Sequence, residues 1–325
     1  REFPKVFVDN NTQNQYKVIK KLGEGETGTV FQVSGPLGHQ VIKAWYPQYL
    51  DMYTTENTVK ASLLSQRILP TLATFQYEGY LCQLAPICVK RSLKYVLDNS
   101  CLGKLTEDEG RGIFAQIAKV LAYMHSKDMV HGRIQPSNVL LRDDDAIMLN
   151  DFGLTKQCSR DMGTLDYMPP ERHTAPRRYG KAADAWAFGI LVYRALVGKK
   201  PTFTKKTHYA VLGREIDTLS REFQNLLRAL LLPDPRLRPT FKQIVQDKAL
   251  DLRRHLSGKK RSNDKQDHDE GAKSKRRKNK KKAAKAAAAA PGNPSATWST
   301  TEELINLLVT PPDQAEPPAS ATNHA

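Results

Sequence analysis

The sequence has 325 residues, 40% of them hydrophobic, enough for one large domain or two small ones, and a formal charge of +16. No apolar run approaches the ~18 residues of a membrane span and no secretory signal opens the chain, so a membrane-spanning or secreted protein is not expected. Cys82, Cys88, Cys101 and Cys158 show neither metal-ligand spacing nor the density of a disulfide framework, so a soluble protein of a reducing intracellular compartment is expected. The charge is uneven: residues 257–290 hold 13 Lys/Arg against 4 Asp/Glu, and the other 291 residues carry only +7.

Residues 1–15 read as a polar, irregular N-terminal extension without periodicity. Alternation begins at Tyr16 and runs to Leu22. Gly23, Gly25 and Gly28 then stand in a Gly-x-Gly-x-x-Gly spacing before the run Thr29 to Val33. A dinucleotide-binding fold would need a helix after these glycines, whose N-terminal amides hold the phosphate. The β-branched residues predict a second strand instead, hence a hairpin whose glycine-rich tip is either a plain turn or a cradle for phosphates. A third strand carries Val41-Ile42-Lys43-Ala44-Trp45, with Lys43 13 residues after Val30. By itself it would read as an edge strand with a solvated charge.

A helix is predicted over residues 54–68, with Glu56 and Lys60 one turn apart on one face. Strands Thr71–Tyr77 and Tyr80–Leu84, a connecting segment Ala85–Lys90 and a short helix opening at Ser92 follow. From Thr106 to Lys127 a long amphipathic helix is marked by the capping box Thr106-x-x-Glu109. Its stripe of Ile113, Ile117, Val120, Leu121 and Met124 is core. Next comes His131-Gly132-Arg133-Ile134-Gln135-Pro136-Ser137-Asn138, then a short strand Val139-Leu140-Leu141 and a second one closed by Asp151-Phe152-Gly153. Further on stand Gly163-Thr164-Leu165-Asp166-Tyr167-Met168-Pro169-Pro170-Glu171, Asp184-Ala185-Trp186-Ala187-Phe188-Gly189 and Asp234-Pro235-Arg236-Leu237-Arg238-Pro239-Thr240.

In this order the motifs resemble the eukaryotic protein kinase family, Ser/Thr type, with an activation-segment end similar to the Aurora-like branch. The resemblance covers residues 16–256 and implies an α+β, bilobal protein kinase-like fold: a small β-rich N-lobe, a larger helical C-lobe, and a hinge at Ala85–Lys90. It implies a nucleotide site of Gly23, Gly25, Gly28, Val30 and Lys43, with ATP and Mg²⁺ as ligands and Asn138 and Asp151 as the metal-binding pair. The helix should offer Lys43 a carboxylate. Family spacing lands on Lys60, and Glu56, one turn earlier, is the expected ion-pair partner. His131, Glu171, Asp184 and Arg238 carry over as structural residues, Asp184 bonding the catalytic-loop backbone and Arg238 pairing with Glu171.

The departure lies in the catalytic loop. The family pattern is H-R-D-L-x-x-x-N. Here Arg133 stands where the resemblance calls for the catalytic Asp, Gly132 where it calls for Arg, and Gln135 where it calls for Lys. A guanidinium has no lone pair to accept the proton of a substrate hydroxyl, so no catalytic residue is intact. Arg133 could contact the γ-phosphate, or pair with Asp151 and hold it from the metal. Gly132 cannot grip a phosphorylated activation loop, although Ser159 and Thr164 stay open to other enzymes. The implied function is a pseudokinase that binds Mg-ATP and acts by conformation and contact on a protein partner such as an active kinase or its substrate. Two alternatives stand beside it: an active, atypical Ser/Thr protein kinase, and a nucleic-acid or chromatin-associated adaptor working through the tail.

That tail, residues 257–290, is low in complexity and predicted to be disordered. Its clusters Lys259-Lys260-Arg261 and Lys273 to Lys282 fit a two-part nuclear import signal read by an import receptor. They also fit sequence-independent binding to a nucleic-acid backbone, which would weaken steeply with salt. No aromatic residue interleaves them, so base stacking is not expected, and neither is membrane attachment. Residues 291–325 are Pro/Ala-rich and predicted to be disordered apart from an amphipathic motif over 299–309, where Leu304-x-x-Leu307-Leu308 has the form of a helical docking element.

Overall fold

The computed structural model describes residues 3–63, 65, 67–152, 165–171, 180–203 and 210–252. The basic run 257–290, the 299–309 motif, Gly153, Cys158, Ser159, Gly163 and Thr164 lie outside the described residues.

Strands dominate the first 86 residues. The six are β1 (Val6–Asp9), β2 (Asn14–Gly25), β3 (Gly28–Gly35), β4 (Gly38–Trp45), β5 (Ala73–Tyr77) and β6 (Tyr80–Pro86). They form one antiparallel sheet in the order β1-β2-β3-β4-β6-β5. The hairpin expected at the glycines is present and tighter than the sequence suggested. Gly25 pairs with Gly28 across the two residues Glu26 and Thr27. Of Gly23, Gly25 and Gly28, packing demands a small residue at Gly28 alone: a Cβ there would sit 2.3 Å from the Ala44 carbonyl oxygen.

Residues 1–15 are not the irregular extension expected. Val6–Asp9 pairs along β2, and Phe7 is fully buried with Tyr16, Phe31, Val33, Ile42 and Phe75. The turn after it is tied down by Asp9, whose carboxylate accepts from the Asn11 N–H at 3.0 Å and the Thr12 hydroxyl at 2.7 Å. Burial of so many aromatic and branched side chains is the main stabilising term of this lobe.

Helix α1 (Leu50–Ser62) starts and ends earlier than the predicted 54–68. Its buried side carries Thr55, Glu56 and Lys60 beside Met52 and Val59, so hydrophobic periodicity could not set its limits. The larger lobe is helical, with α2 (Leu93–Asn99), α3 (Glu107–Ser126), α4 (Lys181–Val197), α5 (Arg221–Leu230) and α6 (Phe241–Ile244). The capping box at Thr106 and Glu109 forms in full. Helix α4 is buried almost all round, as a central helix should be. Phe188 on α4 meets Phe114 of α3 and Phe241 of α6 at ring-centroid distances of 6.3 and 5.5 Å. Gly198, at φ +89, ends the helix in the left-handed turn that glycine takes most cheaply. A two-stranded ribbon, β7 (Val139–Leu141) and β8 (Ile147–Leu149), carries the catalytic-loop sequence on one side and Asp151 on the other.

Candidate nucleotide site

Asp184 organises the loop between α3 and β7. Its carboxylate is fully buried and accepts from the His131 N–H at 2.8 Å and the Gly132 N–H at 2.9 Å, with His125 Nε2 also at 2.9 Å. Gly132 sits at φ +80, which a glycine adopts without the strain a side chain would add. His131 is buried against Phe152, and burial pushes its imidazole below the ordinary 6.5, the charges of Asp184 and Asp151 opposing. Its Nδ1 accepts the Arg133 N–H at 3.2 Å. The chain is thus turned so that Arg133 faces β8 and its extension.

There the Arg133 guanidinium meets Asp151: Nη1 lies 3.0 Å from Oδ2, and both side chains are largely buried. Of the two contacts open to Arg133 in the sequence, the pairing with Asp151 is the one present. Asp151 itself is held at φ +69, a left-handed conformation that costs a non-glycine residue of order 1 kcal/mol or more. Burial pushes its carboxyl up, but Lys43 and Arg133, aided by His131 and Lys60, outweigh this and hold it below the ordinary 3.8. Its second oxygen, Oδ1, is buried with no hydrogen-bond partner among the described residues. Asn138 turns its amide nitrogen to the Arg133 carbonyl at 2.8 Å.

On the opposite wall, β4 presents Lys43, whose ammonium stands 3.3 Å from the centroid of the Trp45 ring. Burial holds it below the ordinary 10.5, against the pull of Glu56 and Asp151. Glu56 on α1 is fully buried. One of its oxygens lies 4.0 Å from Lys43 Nζ and the other 2.7 Å from Lys60 Nζ. Of the two residues left open by the sequence, Lys60 lines the cleft and Glu56 is buried behind it, and Lys60 is turned back onto Glu56 and onto Asn150 Oδ1 at 3.0 Å. One carboxylate serves two ammonium groups and so offsets the repulsion between them.

A polar cluster that the sequence reading missed fixes α1 on the sheet. Gln83, buried in β6, accepts from Trp45 Nε1 at 3.2 Å and donates to Asn57 Oδ1 and Thr71 Oγ1, each at 2.9 Å. The available signal was one glutamine inside the apolar run Tyr80 to Pro86. At the hairpin tip, Tyr46 donates its hydroxyl to Glu24 at 3.0 Å and its backbone N–H to the Thr27 carbonyl at 3.0 Å.

Between these walls lies a cleft of about 610 Å³, within the usual size of a small-molecule site. Gly23, Gly25, Gly28, Val30 and Lys43 line it on the sheet side, and Asn138, Leu140 and Asp151 on the other. Away from the cleft, Arg238 donates two parallel bonds of 2.7 Å to Glu171. Its remaining donors reach the carbonyls of Leu232, Ala182 and Pro233, and its guanidinium lies 4.9 Å from the Trp186 ring centroid.

A family model described as "Protein kinase domain" matches residues 16–250. The chain belongs to the protein kinase family. Similar curated proteins include "Serine/threonine-protein kinase RUNKEL" of Arabidopsis thaliana, 26% identical over 239 residues, covering 68% of this chain and 17% of that protein. "Serine/threonine-protein kinase 36" of Mus musculus is 28% identical over 251 residues, covering 71% of this chain and 19% of that protein. "Aurora/IPL1-related protein kinase 2" of Caenorhabditis elegans is 27% identical over 254 residues, covering 72% and 82%. The kinase chain described here thus spans less than a fifth of the length of the first two.

The donor set of this kinase domain suits one of the family's two ligands better than the other. The cleft has the size of a small-molecule site, and Lys43 is the residue that would meet a nucleotide's phosphates. A bridging Mg²⁺ would need oxygens from both Asn138 and Asp151, and one Asp151 oxygen is already spent on Arg133.

Proposed function

We propose that this chain is a nucleotide-binding pseudokinase, a kinase domain that acts by conformation and contact and transfers the terminal phosphoryl group at a negligible rate. The Arg133–Asp151 ion pair carries the reading. Where the family places a carboxylate to accept the substrate's proton, a cation stands, and it engages the nearest acid. Losing a general base costs about 10²–10⁴ in rate, and Gln135 cannot neutralise transferred charge as the family's Lys does. The other carboxylates lining the cleft are not placed to substitute. Glu24 is bonded to Tyr46 at the hairpin tip, Glu26 is in the turn beside it, and Asp98 interacts with Lys94 and Arg194.

A radiolabelled phosphotransfer assay with protein and peptide acceptors tests this. Wild type should be indistinguishable from Lys43→Ala. Robust wild-type turnover abolished by Lys43→Ala would refute the proposal and leave an active, atypical Ser/Thr kinase in its place.

A further inference from the structure

We propose that the cleft takes its nucleotide free of any divalent cation, with Arg133, Lys43 and Lys60 supplying the positive charge that a metal ion would otherwise bring. This rests on the nucleotide-binding reading above and goes further, to the ionic form of the ligand.

Three observations converge. The first is occupancy: Arg133 Nη1 stands 3.0 Å from Asp151 Oδ2, so a cation already neutralises the acid that would hold the metal. A metal at the remaining oxygen would sit beside a guanidinium of like charge. The second is balance. Lys43, Lys60 and Arg133 all line the cleft with Asp151, and Glu56 is the other carboxylate they contact. Around Asp151 three cations meet two carboxylates, a local excess of one positive charge, while Glu24, Glu26 and Asp98 with Arg91 and Lys94 lie elsewhere on the lining. The third is unspent hydrogen bonding: Arg133 Nε is buried with no partner among the described residues. A guanidinium is a planar fork well matched to phosphate oxygens. A triphosphate loses two negative charges on chelating Mg²⁺, so a positive site lacking a free carboxylate pair favours the unchelated form.

The test is calorimetric titration of the full chain with ATP, once in EDTA and once in excess MgCl₂. Wild type should bind ATP in EDTA at least as tightly as in Mg²⁺. Arg133→Asp, which frees Asp151 and removes a cation, should bind about tenfold or more weakly in EDTA than in Mg²⁺. Wild-type binding about tenfold tighter with Mg²⁺ than with EDTA would overturn the inference and leave the nucleotide reading standing. Wild-type binding in neither condition would remove both. The wild-type comparison decides even if the Arg133→Asp chain fails to fold.

Discussion

Glu56 shows how one buried side chain can set the character of a whole cleft. It is fully buried, with Lys60 Nζ at 2.7 Å and Lys43 Nζ at 4.0 Å. Removing the carboxylate takes the shared counter-charge from two largely buried ammonium groups. Glu56→Gln should therefore lower unfolding free energy by about 3–5 kcal/mol, as for other buried pairs broken from one side. Lys60→Met, which leaves Lys43 with its partner and adds packing, should cost clearly less. Denaturant melts of the two variants check the ranking, and equal losses would contradict it. This arrangement was only half legible in the sequence. Residues four apart share a helix face, so Glu56 and Lys60 were both plausible neighbours of Lys43. That both turn inward rests partly on Asn150, a residue 90 positions away from Lys60, whose amide oxygen accepts from that ammonium. Arg133 was different: a cation at a proton-acceptor position is readable from one letter, and only its partner needed the structure.

The glycine-rich hairpin joins local sequence to packing at the scale of an element. Its three glycines are alike in the motif, but the structure separates them. A Cβ at Gly28 would press on the backbone of β4, 2.3 Å from the Ala44 oxygen and 2.9 Å from Trp45 Cα, whereas at Gly25 it would meet nothing within 4 Å. Gly28→Ala should destabilise the domain by about 1–3 kcal/mol through strain of the β3–β4 pairing. Gly25→Ala should fall within about 1 kcal/mol of wild type. Thermal and denaturant melts of both variants would show the difference, and a null effect at Gly28 would mean that β3 shifts freely. Elements carrying strong patterns were legible: the hairpin, the strand of Lys43, and α3 with its capping box. Strand β1 was not, because four residues between polar neighbours give too short a window for alternation to register. Helix α1 was displaced in the reading because its inward face holds Thr55, Glu56 and Lys60, which look solvent-facing in sequence.

Across the whole molecule, the motifs spread through the sequence meet at two junctions. Asp184 on α4 pins the backbone at His131 and Gly132, while Arg238 grips Glu171 and three carbonyls. Neither junction uses the Arg133 side chain, so the framework of a kinase stands apart from the position where Arg133 replaces the family's catalytic Asp. That separation explains why the fold could be read from motifs while the chemistry had to be read from their exceptions. It also makes the proposed defect local, and therefore repairable. The decisive measurement is the rate of γ-phosphoryl transfer in the double variant Arg133→Asp/Gln135→Lys beside wild type, at saturating ATP and Mg²⁺. Restoring both the acceptor and the cation should raise the rate at least ~100-fold above a wild-type background, the lower bound for a general base. A wild-type rate equal to that of the repaired variant would contradict the account.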